Sequence, residues 1–203
     1  MTSPASIRDP LADALLTPQN AALVIIDFQP VQVASIVSME RREMIANVVA
    51  VARAAKLYGL PVVLSTVNVA TGLNTPTIHQ LTEVLDGVEA IDRTAINAWE
   101  DADFVAAVKA TGRRKLIMVA LWTEVCLAFP ALDALREGFE VFPVVDAVGG
   151  TSVLAHETGL QRIVQAGAQP ISWIQLACEL QRDWNRKATA PGFAEIVFSS
   201  IHP

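Results

Sequence analysis

The chain has 203 residues, of which 52% are hydrophobic and 18% charged, with a formal net charge of −6. That length can bury one sizeable α/β core, and the acidic balance excludes a nucleic-acid backbone as partner, because the densest basic run is only Arg113-Arg114-Lys115. No apolar run reaches membrane-spanning length without a charge or turn, no basic region precedes an apolar core at the N-terminus, and two cysteines make no disulfide framework, so a cytoplasmic globular protein is expected.

Apolar runs alternate with helical patterns along the chain. Ala22–Phe28 reads as a first strand, interrupted only by Asp27 near its end. Met39–Tyr58 carries Met44, Val48, Val51 and Ala55 at helical spacing and stops at Gly59, with Pro61 just beyond. Val62–Thr66 follows as a strand, Pro76–Leu85 as a short helix and Val88–Asp92 as a short strand. Asp101–Thr111 is a helix closed by Gly112, Lys115–Leu121 a strand, and Glu124–Glu137 a helix closed by Gly138. Phe139–Val145, a helix over Thr151–Ala166, a strand over Ala168–Trp173 and a helix over Leu176–Trp184 complete the pattern.

Strands apolar on both sides, each followed by a helix, predict an α/β fold. It is a doubly wound, parallel six-stranded sheet of Rossmann-like order 3-2-1-4-5-6, with helices on both faces. Residues 1–203 are expected to form one domain, with 1–20 an N-terminal extension and 185–203 a C-terminal tail. Sparse charge also points to a homo-oligomer, since part of so apolar a surface is expected to be covered.

Sheets of this kind bind ligands beyond the carboxyl ends of the strands, where the strand order reverses, which here falls between strands 1 and 4. Strand 1 ends in Asp27-Phe28-Gln29, and an ionisable group that close to an apolar strand is costly unless paired. Strand 4 runs into Trp122-Thr123-Glu124-Val125-Cys126, which sets Cys126 in the first turn of the next helix, where the dipole and free N–H groups favour a thiolate. Taken alone, Asp27 reads equally as a turn or capping residue and Cys126 as a small buried hydrophobe. Together they would face one crevice. Arg93, Asn97 and Trp99, after the third strand, would lie near the same rim. Cys178 reads as core packing. His79, His156 and His202 are scattered without ligand spacing, and no G-x-G-x-x-G follows a strand, so neither a metal nor another cofactor is expected.

The segments ALVIIDFQ (22–29), GLPVVLST (59–66), RTAINAWEDADFVAAVKATGRRKLIMVAL (93–121), TEVCLAFPALDALREGFEVFPVVDAVG (123–149) and AGAQPISWIQLACELQRDW (166–184) resemble the isochorismatase-like cysteine hydrolases, in particular their YcaC-like branch. The resemblance implies an Asp–Lys–Cys set, carried onto Asp27 and Cys126, with Arg93 standing where the wider superfamily has Lys. Arginine stays protonated, so Arg93 would supply a fixed charge and leave proton transfer to Asp27. It further implies a cis bond at Leu121–Trp122 and an oxyanion hole made by the backbone N–H groups of Trp122 and Cys126. Phe28, Gln29, Asn97, Trp99 and Thr123, with Trp122 and the loop 67–76, are the expected lining for a small substrate. The nicotinamidase-type metal cluster has no counterpart in Thr66–Leu73, which contains no His or Asp.

These features favour hydrolysis of a small amide or related C–N bond through a covalent thioester. Cleavage of a vinyl ether such as isochorismate's needs no nucleophilic cysteine. A third possibility is an idle or redox-responsive oligomeric binding protein that uses the crevice and an accessible thiol.

Overall fold

The computed structural model describes residues 8–201. Residues 1–7 of the expected extension and 202–203 of the expected tail, including His202, lie outside the described residues. Five parallel strands form the sheet: β1 (Ala21–Ile26), β2 (Val62–Val67), β3 (Ala90–Arg93), β4 (Lys115–Ala120) and β5 (Glu140–Pro143), in the order β3-β2-β1-β4-β5. Every residue of β1 and β4 is buried, because helices pack on both faces of these central strands. Edge strand β3 is exposed at Ala90 and buried only at Arg93.

The helices are α1 (Pro30–Ala34), α2 (Arg41–Tyr58), α3 (His79–Val84), α4 (Ala102–Ala110), α5 (Ala128–Arg136), α6 (Val153–Gln165), α7 (Trp173–Gln181) and α8 (Ala190–Ile201). Their starts follow from local chemistry. Glu40, Asp101, Ser152 and Ser172 accept from backbone N–H groups of α2, α4, α6 and α7, and so satisfy donors that the helix itself leaves open. Gly59 takes a left-handed φ of 67° to end α2 and turn the chain toward β2.

The expected sixth strand is not formed. Over Ala168–Trp173 the chain keeps only one bridge, Ile171 against Val144, supported by Gln169 N–H to Val141 O (2.8 Å) and Ile171 N–H to Pro143 O (3.0 Å). The ladder stops at Ile171 because Ser172 already caps α7, so the segment has no length left for a strand. The sheet is therefore five-stranded, and the switch between β1 and β4 stands where it was expected.

Both flanks of the fold carry structure. In the N-terminal arm, the buried Lys115 ammonium donates to the carbonyls of Asp13 (2.7 Å) and Ala14 (2.6 Å). In the tail, α8 packs on α2 so closely that a Cβ on Gly192 would stand 2.8 Å from Leu57. Cys178 is exposed on α7, not part of the core as expected, because α7 turns Leu176, Ala177 and Leu180 inward instead. Among the described residues no helix is long and apolar enough to cross a membrane.

Candidate active site

The carboxyl ends of β1, β3 and β4 bring Asp27, Arg93 and Cys126 together. Asp27 follows β1 directly and adopts φ 60°, a left-handed backbone that L residues with a side chain rarely take. Its N–H donates to Ser65 O (3.0 Å), so the turn is tied to β2. The Asp27 carboxylate is fully buried and is met by Arg93 in a two-pronged pair, Nη1 to Oδ1 and Nη2 to Oδ2, both 2.7 Å. Such a fork fixes direction as well as charge.

Arg93 lies two strands away from Asp27, about 10 Å at ordinary strand spacing. Its side chain spans β2 and is held there by Ser65 Oγ (3.1 Å), Thr66 O (3.0 Å) and Ile96 O (3.3 Å). Burial by itself would lower the guanidinium's proton affinity; the hydrogen bonds and charge of Asp27, with smaller help from Cys126 and Asp101, outweigh it and hold Arg93 above its ordinary range. Arg93 is thus a fixed cation.

Cys126 does not open an ordinary α-helix. It lies in a π-helical turn, Thr123–Leu127, that precedes α5. The bond between Leu121 and Trp122 at the end of β4 is cis. The Cys126 thiol lies beside Asp27 and the backbone N–H of Trp122, close enough for both to act on it. Only 7% of Cys126 is exposed. Its thiol is pushed well above the usual range, first by burial, then by the negative charge of Asp27 and the hydrogen bond to it; Arg93 and the Trp122 N–H act in the opposite direction and do not prevail. This reverses the expectation of a resting thiolate. The helix-start effect is a weak one, and a carboxylate in contact within a dry crevice exceeds it.

The remaining expected lining residues have structural partners. Gln29 is fully buried; its amide donates to Val67 O (3.1 Å) and Thr75 O (2.7 Å) and accepts from Val67 N–H (2.9 Å), clamping both ends of the loop 67–76. Asn97 donates to Asp133 (2.8 Å) and accepts from Trp99 N–H. Trp99 gives its indole N–H to Glu137 (2.9 Å) and packs edge-on against Phe104 and Phe139. Phe28 is core, and buried Thr123 pairs its hydroxyl with His156 Nδ1 (2.8 Å). The structure thus unites Asp27, Arg93, Trp122 and Cys126, while Gln29, Asn97, Trp99 and Thr123 each hold a partner within the protein.

Three supports were missed from sequence. Ser65 lies inside the apolar run VVLST and shows only in space that it faces Arg93. Asp92 accepts from Thr66 Oγ1 (2.9 Å), Val69 N–H (3.0 Å) and Ala70 N–H (2.8 Å), so it anchors the start of the same loop that Gln29 clamps. Burial opposes its ionisation, but the backbone donors prevail and hold its carboxyl below the ordinary value. Gly159 of α6 lets that helix approach the thiol's turn: a Cβ there would stand 2.8 Å from the Glu124 Cα. Among the described residues no group of three or more His, Cys, Asp or Glu side chains is placed to hold a metal ion. A surface cleft of about 540 Å³ between α5 and α6 is lined by Asn97, Asp133, Arg136 and Arg162 and contains none of the Asp27–Arg93–Cys126 set.

Residues 21–175 match the Isochorismatase domain, more than half of the chain. The chain belongs to the isochorismatase family. This isochorismatase-family protein is 41% identical over 170 residues to the probable hydrolase YcaC of Escherichia coli (strain K12), which covers 83% of this chain and 81% of that one. It superposes with a TM-score of 0.81 and 36% identity on YcaC from Pseudomonas aeruginosa, a structure with hexane-2,5-diol and covalent acrylamide, covering 92% of this chain and 96% of the other. The same score, identity and coverage relate it to the crystal structure of the Escherichia coli YcaC product, described as an octameric hydrolase of unknown specificity. A nicotinamidase from Bacillus subtilis, at 19% identity and TM-score 0.63, shares the fold.

Proposed function

We propose that this isochorismatase-family hydrolase cleaves a small amide or related C–N bond through a thioester on Cys126. The observation that carries the reading is the buried contact of the Cys126 thiol with a carboxylate whose both oxygens are engaged by Arg93. Each carboxylate oxygen has a second lone-pair direction, so the grip of Arg93 still leaves Asp27 an acceptor site for the thiol proton.

As sulfur attacks the substrate carbonyl carbon, the thiol proton passes to Asp27. The carbonyl oxygen becomes an oxyanion held by the backbone N–H groups of Trp122 and Cys126. The C–N bond then breaks, Asp27 returns the proton to the leaving nitrogen, and the acyl group remains on sulfur. Water then attacks the thioester, giving a proton to Asp27 and releasing the acid; the thiolate takes that proton back. A neutral resting thiol suits this cycle, because nucleophile and proton stay together until a carbonyl arrives. The same neutrality and burial weigh against an oxidation sensor, which needs an accessible thiolate.

The carboxyl edge of the sheet carries exposed Val31 on α1, Leu73 on the loop 67–76, and Ile96, whose carbonyl touches Arg93. An apolar rim of this kind fits a small, weakly polar substrate and coverage by a neighbouring copy, in keeping with the octamer of the Escherichia coli relative. The test is a screen of small amides read by ammonia release, with intact-mass trapping of an acyl adduct. Turnover that disappears in Cys126→Ala, with the adduct mapped to Cys126, is the expected result. Turnover that persists in that variant would overturn the thioester route.

A further inference from the structure

The Arg113-Arg114-Lys115 run plays no part in the chemistry above, yet it lines a cavity of about 460 Å³ at the amino edge of the sheet, walled by Leu11 and Gln19 and by Glu140 at the start of β5. β4 begins in this cavity and ends five residues later, short of the turn of Cys126, so the two ends are about 17 Å apart.

The three cations are not equally committed. Lys115 is spent on the arm carbonyls and lies 3.9 Å from Glu140. Arg114 gives one N–H to Gly138 O (3.2 Å) and has no carboxylate partner among the described residues. Arg113 is half-buried, makes no ion pair among the described residues, and its Nε is shielded from solvent without any hydrogen-bond partner. Residues 1–7 contain no acidic side chain that could neutralise it. Gln19, exposed and without a side-chain hydrogen bond among the described residues, also lines the cavity. Two arginines without a carboxylate partner among the described residues thus line a cavity whose one carboxylate, Glu140, already lies near Lys115, in a protein whose net charge is −6. The Nε itself is closed off from the cavity, whereas the outer Nη groups of Arg113 make no hydrogen bond among the described residues, and an oxyanion in the cavity would meet those.

We propose that this cavity is a binding site for a compact, multiply charged oxyanion, a phosphate or polycarboxylate group, held by Arg113 and Arg114. The Leu11 wall gives room for a short apolar body beside the charged group.

The test is calorimetric titration of the whole protein with inorganic phosphate and, separately, citrate, against potassium chloride of matched ionic strength. Saturable binding of either anion is expected, weakened about tenfold in each of Arg113→Gln and Arg114→Gln. The exposed Arg42→Gln on α2 should leave it unchanged. Arg114 is exposed, so Arg114→Gln keeps the test decisive if Arg113→Gln fails to fold. Cys126→Ala should bind as the parent does, which separates this site from the crevice. Binding no stronger than the chloride control, binding untouched by Arg114→Gln, or protection of Cys126 from alkylation by the anion would overturn the proposal.

Discussion

Replacing Arg93 with alanine removes five hydrogen bonds at once, two to Asp27 and one each to Ser65, Thr66 and Ile96. Both charged side chains of the pair are fully shielded from solvent, so the Asp27 carboxylate would be left buried with no counter-charge. Breaking a buried pair from one side costs about 3–5 kcal/mol. For a chain of this length each kcal/mol moves the melting temperature by about 2–4 °C, so Arg93→Ala should melt roughly 6–20 °C lower. Reactivity should follow. Arg93 is one of the two groups that draw the Cys126 thiol down, so without it the alkylation of Cys126 by iodoacetamide should slow and move to higher pH. Arg93→Lys keeps the charge but has three donors for five acceptor contacts, so it should recover part of both losses and remain about 1–3 kcal/mol less stable than the parent. The assay is a thermal melt with pH-resolved alkylation, run in a Cys178→Ser background because Cys178 is exposed. An unchanged melting temperature and an unchanged alkylation curve in Arg93→Ala would refute the view that Arg93 holds Asp27 and acts on the thiol.

Cys126→Ala should fold as the parent does and lose all amide turnover, checked by circular dichroism and ammonia release. The same variant should change alkaline stability. The Cys126 thiol is raised in the folded protein, so above about pH 8.5 the unfolded chain gives up a proton that the folded chain keeps, and stability falls with rising pH by up to about 1.4 kcal/mol per unit. Denaturant titrations between pH 8.5 and 10 should show that slope in Cys178→Ser and a flatter one when Cys126→Ala is added. Gly159→Ala should push the Glu124 backbone and with it the turn of Cys126, lowering activity at least tenfold while α6 itself gains helix propensity; kinetics beside a thermal melt will separate the two effects. Light scattering at micromolar concentration should give a mass several times that of one chain, and a stable monomer would mean that the rim of Val31, Leu73 and Ile96 is not covered by a second copy.

Much of this architecture was legible because its signals are local. The runs at β1, β2 and β4 are continuous and apolar, and a capping residue or a glycine marks most of the helices between them. The sixth strand was overread because the apolar residues of Ala168–Trp173 do not reveal that Ser172 already caps α7, which leaves room for a single bridge at Ile171. Helix α8 was not assigned because Pro191 and Gly192 interrupt its first turn, whereas what fixes it is tertiary, the seat of Gly192 on Leu57. At the site, Asp27, Arg93 and Cys126 could be singled out because each ends a strand or opens the segment after one. The state of the thiol could not, since it depends on a carboxylate 99 positions earlier in the chain folding against it. The tasks of Gln29 and Trp99 were equally hidden, because a polar side chain near a rim looks the same in sequence whether it meets a ligand or a neighbouring carbonyl.

The left-handed backbone of Asp27 has a consequence for laboratory evolution. A non-glycine residue held at φ 60° costs about 1–2 kcal/mol, and that cost is borne at a position where the carboxylate must be aimed. Glycine would relax the turn but strand the Arg93 charge, so that single substitution trades the strain for an unpaired buried cation. The gain opens only to a pair, such as Asp27→Gly with Arg93→Met, which removes the buried ions together. A library screened for heat tolerance alone would accumulate such pairs and lose the chemistry, so thermostabilising this protein requires a screen that holds residues 27 and 93 under functional selection.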